Sequence, residues 1–420
     1  MKYDVVIVGG GTAGCAAAYM LGKAGKKVLI LEKNIHLGGT MTSALVTPMM
    51  KTSNNSINNE FLDAFLKKMK NYNAAITYID GNSGWFNPEL AKIVLDEMMQ
   101  DANVQVLYNI VLKNVNVSEK CIVSLECDCN LLSVCIEAKY VIDATGNCDV
   151  GELANCEFLP NSNKYQPVNL RFMMSNVNLE IFSKWLLDLD KDRNVTTSGI
   201  IDGQIHLSTA YTWDNDKKWA LKPLFDDAVE KNILKNEDRN YFQLFTVPNM
   251  PTTIAFNCPR IIFDEDCNVL EPFMYSKILQ KGRFAINRLA KFLKIYFKGF
   301  ENSYISNIAD MLGIRESKRI VGKYVYSADD LRNGSAFDTK VLVSNYPIDV
   351  HSSQKNTSIL EKVNVEYQLP IEALMSKDVD KLFVVGRGIS ADFYSQAALR
   401  IIPSCFSMGV GLAKYLLKTL

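Results

Sequence analysis

No run in this chain approaches the roughly 18 consecutive apolar residues of a membrane span, so no transmembrane helix is expected. Neither charge dominates, since lysine plus arginine and aspartate plus glutamate each number 46. A formal net charge of zero gives no electrostatic case for nucleic acid or an anionic membrane surface as partner. The first strand-like run begins at residue 3 or 4, so no secretory leader is expected. Cysteine occurs ten times but without a framework, and no two stand as C-x-x-C. Thiols scattered in this way read as reduced, mostly buried side chains of a cytoplasmic protein. Histidine is scarce, with only His36, His206 and His351, and H-E-x-x-H and G-x-S-x-G are both missing. Those absences disfavour standard zinc-hydrolase and serine-hydrolase chemistry, and no metal site is expected.

What is present begins with "VVIVGGGTAGCAAAYMLGKAGKKVLILEK", from Val5 to Lys33. Asp4 to Val8 is a short β-branched run of the kind buried in a parallel sheet. Gly9, Gly11 and Gly14 follow at G-x-G-x-x-G spacing, then a small-residue helix from Ala13 to Leu21, then a buried strand from Val28 to Leu31. The first glycine permits a tight turn, the second lets the backbone approach a pyrophosphate, and the third lets helix pack on strand. The helix N-terminus offers N–H groups and a positive dipole end to phosphates. Glu32, 23 residues beyond Gly9, stands where a carboxylate accepts ribose hydroxyls and repels a 2′-phosphate. The order of strand, turn, helix, strand and acid predicts a nucleotide-binding βαβ unit.

A second glycine-rich loop comes at Gly38 and Gly39, and an amphipathic helix is expected from Ile57 to Lys70. Asn87 and Pro88 form an N-cap and first helical position. "VQVLYNIVLKNV", "CIVSLECD" and "LLSVCIEA" read as a three-stranded meander, and "KYVID" as a separate buried strand running into Ala144, Thr145 and Gly146. From about Glu157 strand-like pieces alternate with helices and polar loops. Phe273 to Phe300 reads as a basic helix whose stripe of Ile286, Leu289, Leu293, Tyr296 and Phe300 is a core face with solvated lysines opposite, with a membrane-surface helix as the alternative. The chain then gives the strand "KLFVVGRGIS" and a small-residue helix from about Ser404. The fold class is therefore α/β. A discontinuous nucleotide domain is expected at 1–156 and 366–420, with an α+β substrate or cap domain inserted at 157–365.

An NAD-dependent Rossmann enzyme would continue with further βα units after Glu32, whereas this chain inserts a loop, helices and a meander. That layout resembles the Rossmann-like FAD-binding domain of the glutathione-reductase-like flavoproteins, and within them the family of FAD-dependent oxidoreductases. The likeness rests on the glycine fingerprint, "LGGT", "NPE", "DATGNCD", "GIRESKRIVGKYVYSADDL", "YPIDVH" and "GRGISADFYSQAALRIIPSCFSMGVGLA". The resemblance implies FAD as cofactor. It implies that Gly9, Gly11, Gly14, Glu32 and Lys33 contact the AMP part, and that Gly39 and Thr40 pass near the pyrophosphate and ribityl chain. Val111 would bring backbone to the adenine, while Thr145 and Gly146 close a turn near the AMP part. Gly386 and Arg387 would make a second pyrophosphate contact, with Arg387 offsetting phosphate charge. The helix starting near Ser404 would aim its positive end at the flavin N1–C2=O edge. Gly409 and Gly411 keep the small-residue ending, although larger residues follow.

Disulfide reductases of this fold need a cysteine pair after the second glycine loop, and "GGTMTSALVTPMM" has none. No second G-x-G-x-x-G is found, so an electron donor or acceptor binds transiently or is a separate protein. The expected reaction is hydride transfer between flavin N5 and a small-molecule substrate, with a single-component flavin monooxygenase or halogenase as the alternative. A third reading is an FAD-binding subunit that transfers electrons or modifies RNA with a partner; no iron–sulfur cysteine run supports the first role, and the zero net charge and lack of a basic tract argue against the second. His351, with an ordinary pKa nearest neutrality, is the acid/base candidate. Tyr346 and Asp349 are its neighbours, and residues 349 and 351 share one side of an extended segment. Arg315 and Arg400 are suited to clamp a carboxylate or stabilise enolate charge. Cys405, at the start of the flavin-facing helix, is a candidate thiolate. His36, before the second glycine loop, is a candidate flavin tether.

Overall fold

The structure is a computed structural model that describes residues 2–50, 57–76, 84–160, 166–212, 219–239, 241–263, 268–351 and 358–420. The opening strand Lys2–Val8 runs parallel to Val28–Leu31 on one side and Leu132–Asp143 on the other. Gln105–Leu107 extends the parallel sheet beyond Val28–Leu31, and Leu382–Val384 extends it beyond Leu132–Asp143. Val5, Val6, Ile7 and Leu29 are wholly buried, which is why these strands read as continuous apolar runs rather than alternating ones. The first helix, Thr12–Lys23, starts one residue earlier and ends two later than its composition suggests. The helix Pro88–Asp101 has Asn87 as N-cap, its side chain accepting from Glu89 N and Leu90 N.

Two strand expectations are corrected. "VQVLYNIVLKNV" is two strands, because Asn109 turns to φ +51° and the chain changes sheets there. Asn109 N and Ile110 N donate instead to Asn34 O and Glu32 O. Conversely, "LLSVCIEA" and "KYVID" form one strand, Leu132–Asp143. Nothing between Ala138 and Tyr140 breaks a β run. Its first half pairs with Cys121–Cys129 in the meander and its second half with Lys2–Val8 in the parallel sheet.

A separate antiparallel sheet orders its strands as Thr196–Ile201, Gln204–Thr212, Tyr241–Val247, Met250–Phe256, Phe172–Ser175 and Tyr304–Ile308. The helix Pro272–Tyr296 buries Ile278, Ile286, Leu289 and Leu293 in the same core as Phe172, Phe225 and Phe256. The first core gathers Ile7, Ala16, Phe61, Phe65 and Phe406. The stretch expected to form the inserted unit, 157–365, is divided between these two cores and a third, around Val6 and Leu29, that holds Ile320. Residues as far as Ile314 pack in the second, whereas Tyr326, Leu331, Val341, Leu342, Ile348 and Val350 pack in the first. The return precedes residue 365 because Lys340–Ser344 already pairs with Tyr367–Pro370. Among the described residues no helix is long and apolar enough to cross a membrane.

Candidate active site

The two glycine loops lie against each other at the carboxyl end of the parallel sheet. Gly38 N donates to Gly10 O at 2.8 Å, and Gly11 bridges to Gly38. A Cβ on Gly9, at φ +98°, would stand 2.6 Å from Ala144 O, and one on Gly14 would stand 2.4 Å from Gly9 O. Both positions therefore need glycine for the chain's own packing. Gly11 does not, since nothing lies closer than 3.6 Å to its would-be Cβ. Its bareness leaves the N-terminus of Thr12–Lys23 open to an approaching ligand. Glu32 is buried and ties the loops together, accepting from Gly10 N at 2.7 Å and from Asn34 N at 2.8 Å. Lys33 points to solvent. Val111 begins its strand next to the Asn109–Ile110 contact with Glu32 and Asn34.

Asp143 braces the opposite wall. It accepts from Thr145 Oγ1 at 2.7 Å and from Val150 N at 2.9 Å, and burial raises its pKa to about 6. Gly386, at φ +80°, follows the strand Leu382–Val384. Arg387 then reaches back to Gly146 O at 2.6 Å, Ile314 O at 2.9 Å and Asn147 Oδ1 at 2.7 Å. All three acceptors are neutral, so the guanidinium is placed as a brace that still carries its charge. Thr40 lies half-buried in the turn Gly39–Met41, whose Gly39 stands against Gly11.

These residues fit FAD. The first helix and the terminal helix Ile402–Leu416 both begin without a side-chain cap, although their first residues are buried. Buried helix ends need acceptors for their orphan N–H groups. Ser404 Oγ and Gln396 Oε1 are likewise buried without a partner. Gly409 is a different case. A Cβ there would stand 2.2 Å from Ala13 O, so the close crossing of the two helices needs glycine at this position.

A polar cluster adjoins the start of the terminal helix. Arg400 sits at the corner between Phe393–Leu399 and Ile402–Leu416. Its Nη2 donates to Asp349 O at 2.9 Å and lies 3.5 Å from Asp349 Oδ2. Asp349 and His351 share the outward face of Ile348–His351, with Ile348 and Val350 turned into the core. Arg260 Nη2 donates to His351 Nδ1 at 2.8 Å, which leaves the ring hydrogen on Nε2, 3.4 Å from Asp349 Oδ2. The short ladder Val168–Asn169 with Arg260–Ile261 sets Asn169 opposite Arg260, and Arg315 Nη1 donates to Asn169 Oδ1 at 2.9 Å. Burial would raise the Asp349 carboxyl, but His351, Arg400 and Arg315 hold it well below the usual range.

The structure thus gathers His351, Arg315 and Arg400, and it changes what two candidates can do. Burial and the nearby Arg315 push His351 down to about 3, so it is neutral near pH 7 and both ring nitrogens are engaged. A neutral ring with both nitrogens engaged is poorly suited to the acid/base role expected of it. Cys405 is not a thiolate: burial pushes it up to about 12, and its Sγ donates to Arg400 O at 3.6 Å. Tyr346 is buried and kept protonated, its carbonyl accepting from Tyr367 Oη at 2.9 Å. His36 is buried, with Nε2 3.3 Å from Asp310 Oδ2. Sequence reasoning missed Gln166 and Glu316. Gln166 N donates to Glu316 Oε1 at 3.0 Å, while its own Oε1 accepts from His351 N at 3.2 Å. Burial raises Glu316 to about 7 against the pull of Gln166 N, Arg319 and Arg400.

Among solved structures, the chain is similar to a geranylgeranyl bacteriochlorophyll reductase-like protein from Thermoplasma acidophilum. The TM-score is 0.50 at 14% identity, covering 100% of this chain and 79% of that one; the likeness concerns the fold alone. Over 158 residues it is 30% identical to the thiamine thiazole synthase of Methanococcus aeolicus, which is 35% of this chain and 56% of that protein. The chain thus spans only about half the length of that relative. Residues 4–415 match the FAD dependent oxidoreductase family, and the chain belongs to it.

Proposed function

We propose that this oxidoreductase has the glutathione-reductase-like arrangement and transfers a hydride between flavin N5 and a small organic substrate. The observation that carries the reading is the corner at Arg400. The residue that holds Asp349 stands two positions before the buried, uncapped start of Ile402–Leu416, so one bend serves both the cofactor end and the polar cluster. By core membership the inserted unit would run from 157 to about Ile314. FAD, when bound, supplies hydride chemistry at N5. Arg400 and Arg315 would hold negative charge on the substrate, and Asp349 would fix Arg400 through carbonyl and carboxylate together. His351 stays neutral and locks Asp349 to Arg260. Glu316, in place of His351, would exchange the proton that accompanies the hydride, because its pKa matches neutral operating pH. An electron partner would bind transiently or be a separate protein. The nine described cysteines all stand free, which fits a reducing, cytoplasmic setting.

Anaerobic reduction of the purified yellow protein, followed by visible spectroscopy, tests this reading. Bleaching that recovers promptly with an organic acceptor but slowly in air is expected. Prompt recovery in air with an oxygenated or halogenated product would replace hydride transfer with the monooxygenase or halogenase reading.

A further inference from the structure

Two buried donors in the polar cluster stand without acceptors. They are Arg400 Nε and Gln166 Nε2. The assignment at Gln166 does not depend on which way its amide is drawn. His351 N donates to its Oε1, so the other terminal atom must be the NH2 group. Gln166 is only 3% exposed, and a buried donor with no acceptor costs free energy that a native site recovers when its ligand arrives. The two donors flank the same strand. Arg400 holds Asp349, and Gln166 holds the backbone of His351 two residues on. Arg315, the third group, donates to Pro167 O and Asn169 Oδ1, both neutral. Among the described residues no carboxylate lies within ion-pair distance of it. Its pKa is lowered by burial and by Arg400 and Arg260 nearby, against the opposing pull of Asp349, the mark of cations packed together without enough negative charge.

Neutral ligands do not answer this arrangement. A hydroxyl or carbonyl would satisfy one donor but leave the Arg315 charge uncompensated. A carboxylate presents two oxygens with about four acceptor sites and matches a guanidinium in geometry and charge. We infer that the substrate of this site is a small organic carboxylate, with its carboxylate held by Arg400 Nε, Gln166 Nε2 and the Arg315 guanidinium. This deepens the function proposed above and rests on it. Gln166 comes from the second-core side of the chain and Arg400 from the corner of the first. The carboxylate would therefore join the two sides, leaving the reacting carbon free to face the cofactor.

The test uses the FAD-loaded protein, titrated anaerobically with acetate, malonate, succinate and benzoate, with their amides, sodium chloride and inorganic phosphate in parallel. The readouts are perturbation of the flavin absorption band and the shift in melting temperature. At least one carboxylate should saturate both readouts where its amide does not. Arg400→Gln and Gln166→Leu should each weaken that affinity roughly tenfold or more, as loss of a charge-assisted or buried donor does. A yellow, reducible protein indifferent to every carboxylate overturns the substrate class while the oxidoreductase reading stands. A protein that takes no FAD sinks that reading instead. Should Arg400→Gln and Gln166→Leu lose FAD while carboxylate affinity persists, the donors serve the cofactor and the inference fails.

Discussion

Glu316 and Asp349 show how one cluster moves two carboxyls in opposite directions. Asp349 faces His351, Arg400 and Arg315 and stays ionised although buried. Glu316 receives one backbone N–H and too little positive charge to offset its burial, so its pKa rises from 4.5 to about 7. The sign for stability follows from linkage. With the folded pKa raised, the folded state binds more protons between about 4.5 and 7, and stability present at low pH is lost as pH rises through that window. Urea unfolding of Glu316→Gln against wild type should recover on the order of 2 kcal/mol above pH 7 and nothing below pH 4.5. If Glu316 also exchanges the substrate proton, the same variant loses the limb of the kcat/KM profile near pH 7. Asp349→Asn should go the other way and cost about 3 kcal/mol or more in urea unfolding, because it leaves Arg400 buried without its carboxylate. An unchanged midpoint would mean that the backbone carbonyl of residue 349 alone holds the arginine.

What was legible in the sequence is what lies within a few turns of itself. The unit from Val5 to Glu32 could be read because its glycines, helix and acid fall inside one short window and each has a local reason to be there. The joined strand Leu132–Asp143 could not, since nothing in its residues says that one run serves two sheets. Nor could the partnership of Gln166 with Glu316, 150 positions apart, or of Arg260 with His351, 91 apart. At that separation spacing carries no signal. Gly409 belongs to the small-residue ending that the family resemblance places at the flavin helix; the structure adds a steric reason for it, at the crossing with Ala13. Gly14→Ala and Gly409→Ala test the two readings of glycine. Each added methyl would meet a backbone oxygen, at 2.4 Å and 2.2 Å respectively, at an expected cost of about 1–3 kcal/mol. Gly11→Ala, with room for its methyl, should keep its melting temperature without cofactor and lose FAD retention. Equal loss of unliganded stability in all three variants would show that Gly11 is a packing glycine as well.

Across the whole molecule, the groups that would receive FAD are held in place by one crossing. The first and terminal helices meet at Ala13 and Gly409, so their two buried, uncapped starts cannot move independently. A cofactor that satisfies both ends links the start of the chain to its last helix, and by mass action it stabilises the folded protein by about 2.7 kcal/mol at a hundredfold excess over Kd. Hydrogen exchange of the protein with and without FAD should then show protection at 11–14 and at 402–405 together, near-equal in both stretches. Protection confined to 11–14 would place the flavin end away from the terminal helix and remove the corner at Arg400 from the active site. The carboxylate step adds a second stage with its own signature. Gln166 and Arg315 stand where the second core ends, Asp349 and Arg400 on the first. A carboxylate should therefore slow exchange at 166–169 and 313–316 only once FAD is bound. If the same protection arises from the carboxylate without FAD, the anion site is preformed and cofactor and substrate bind independently.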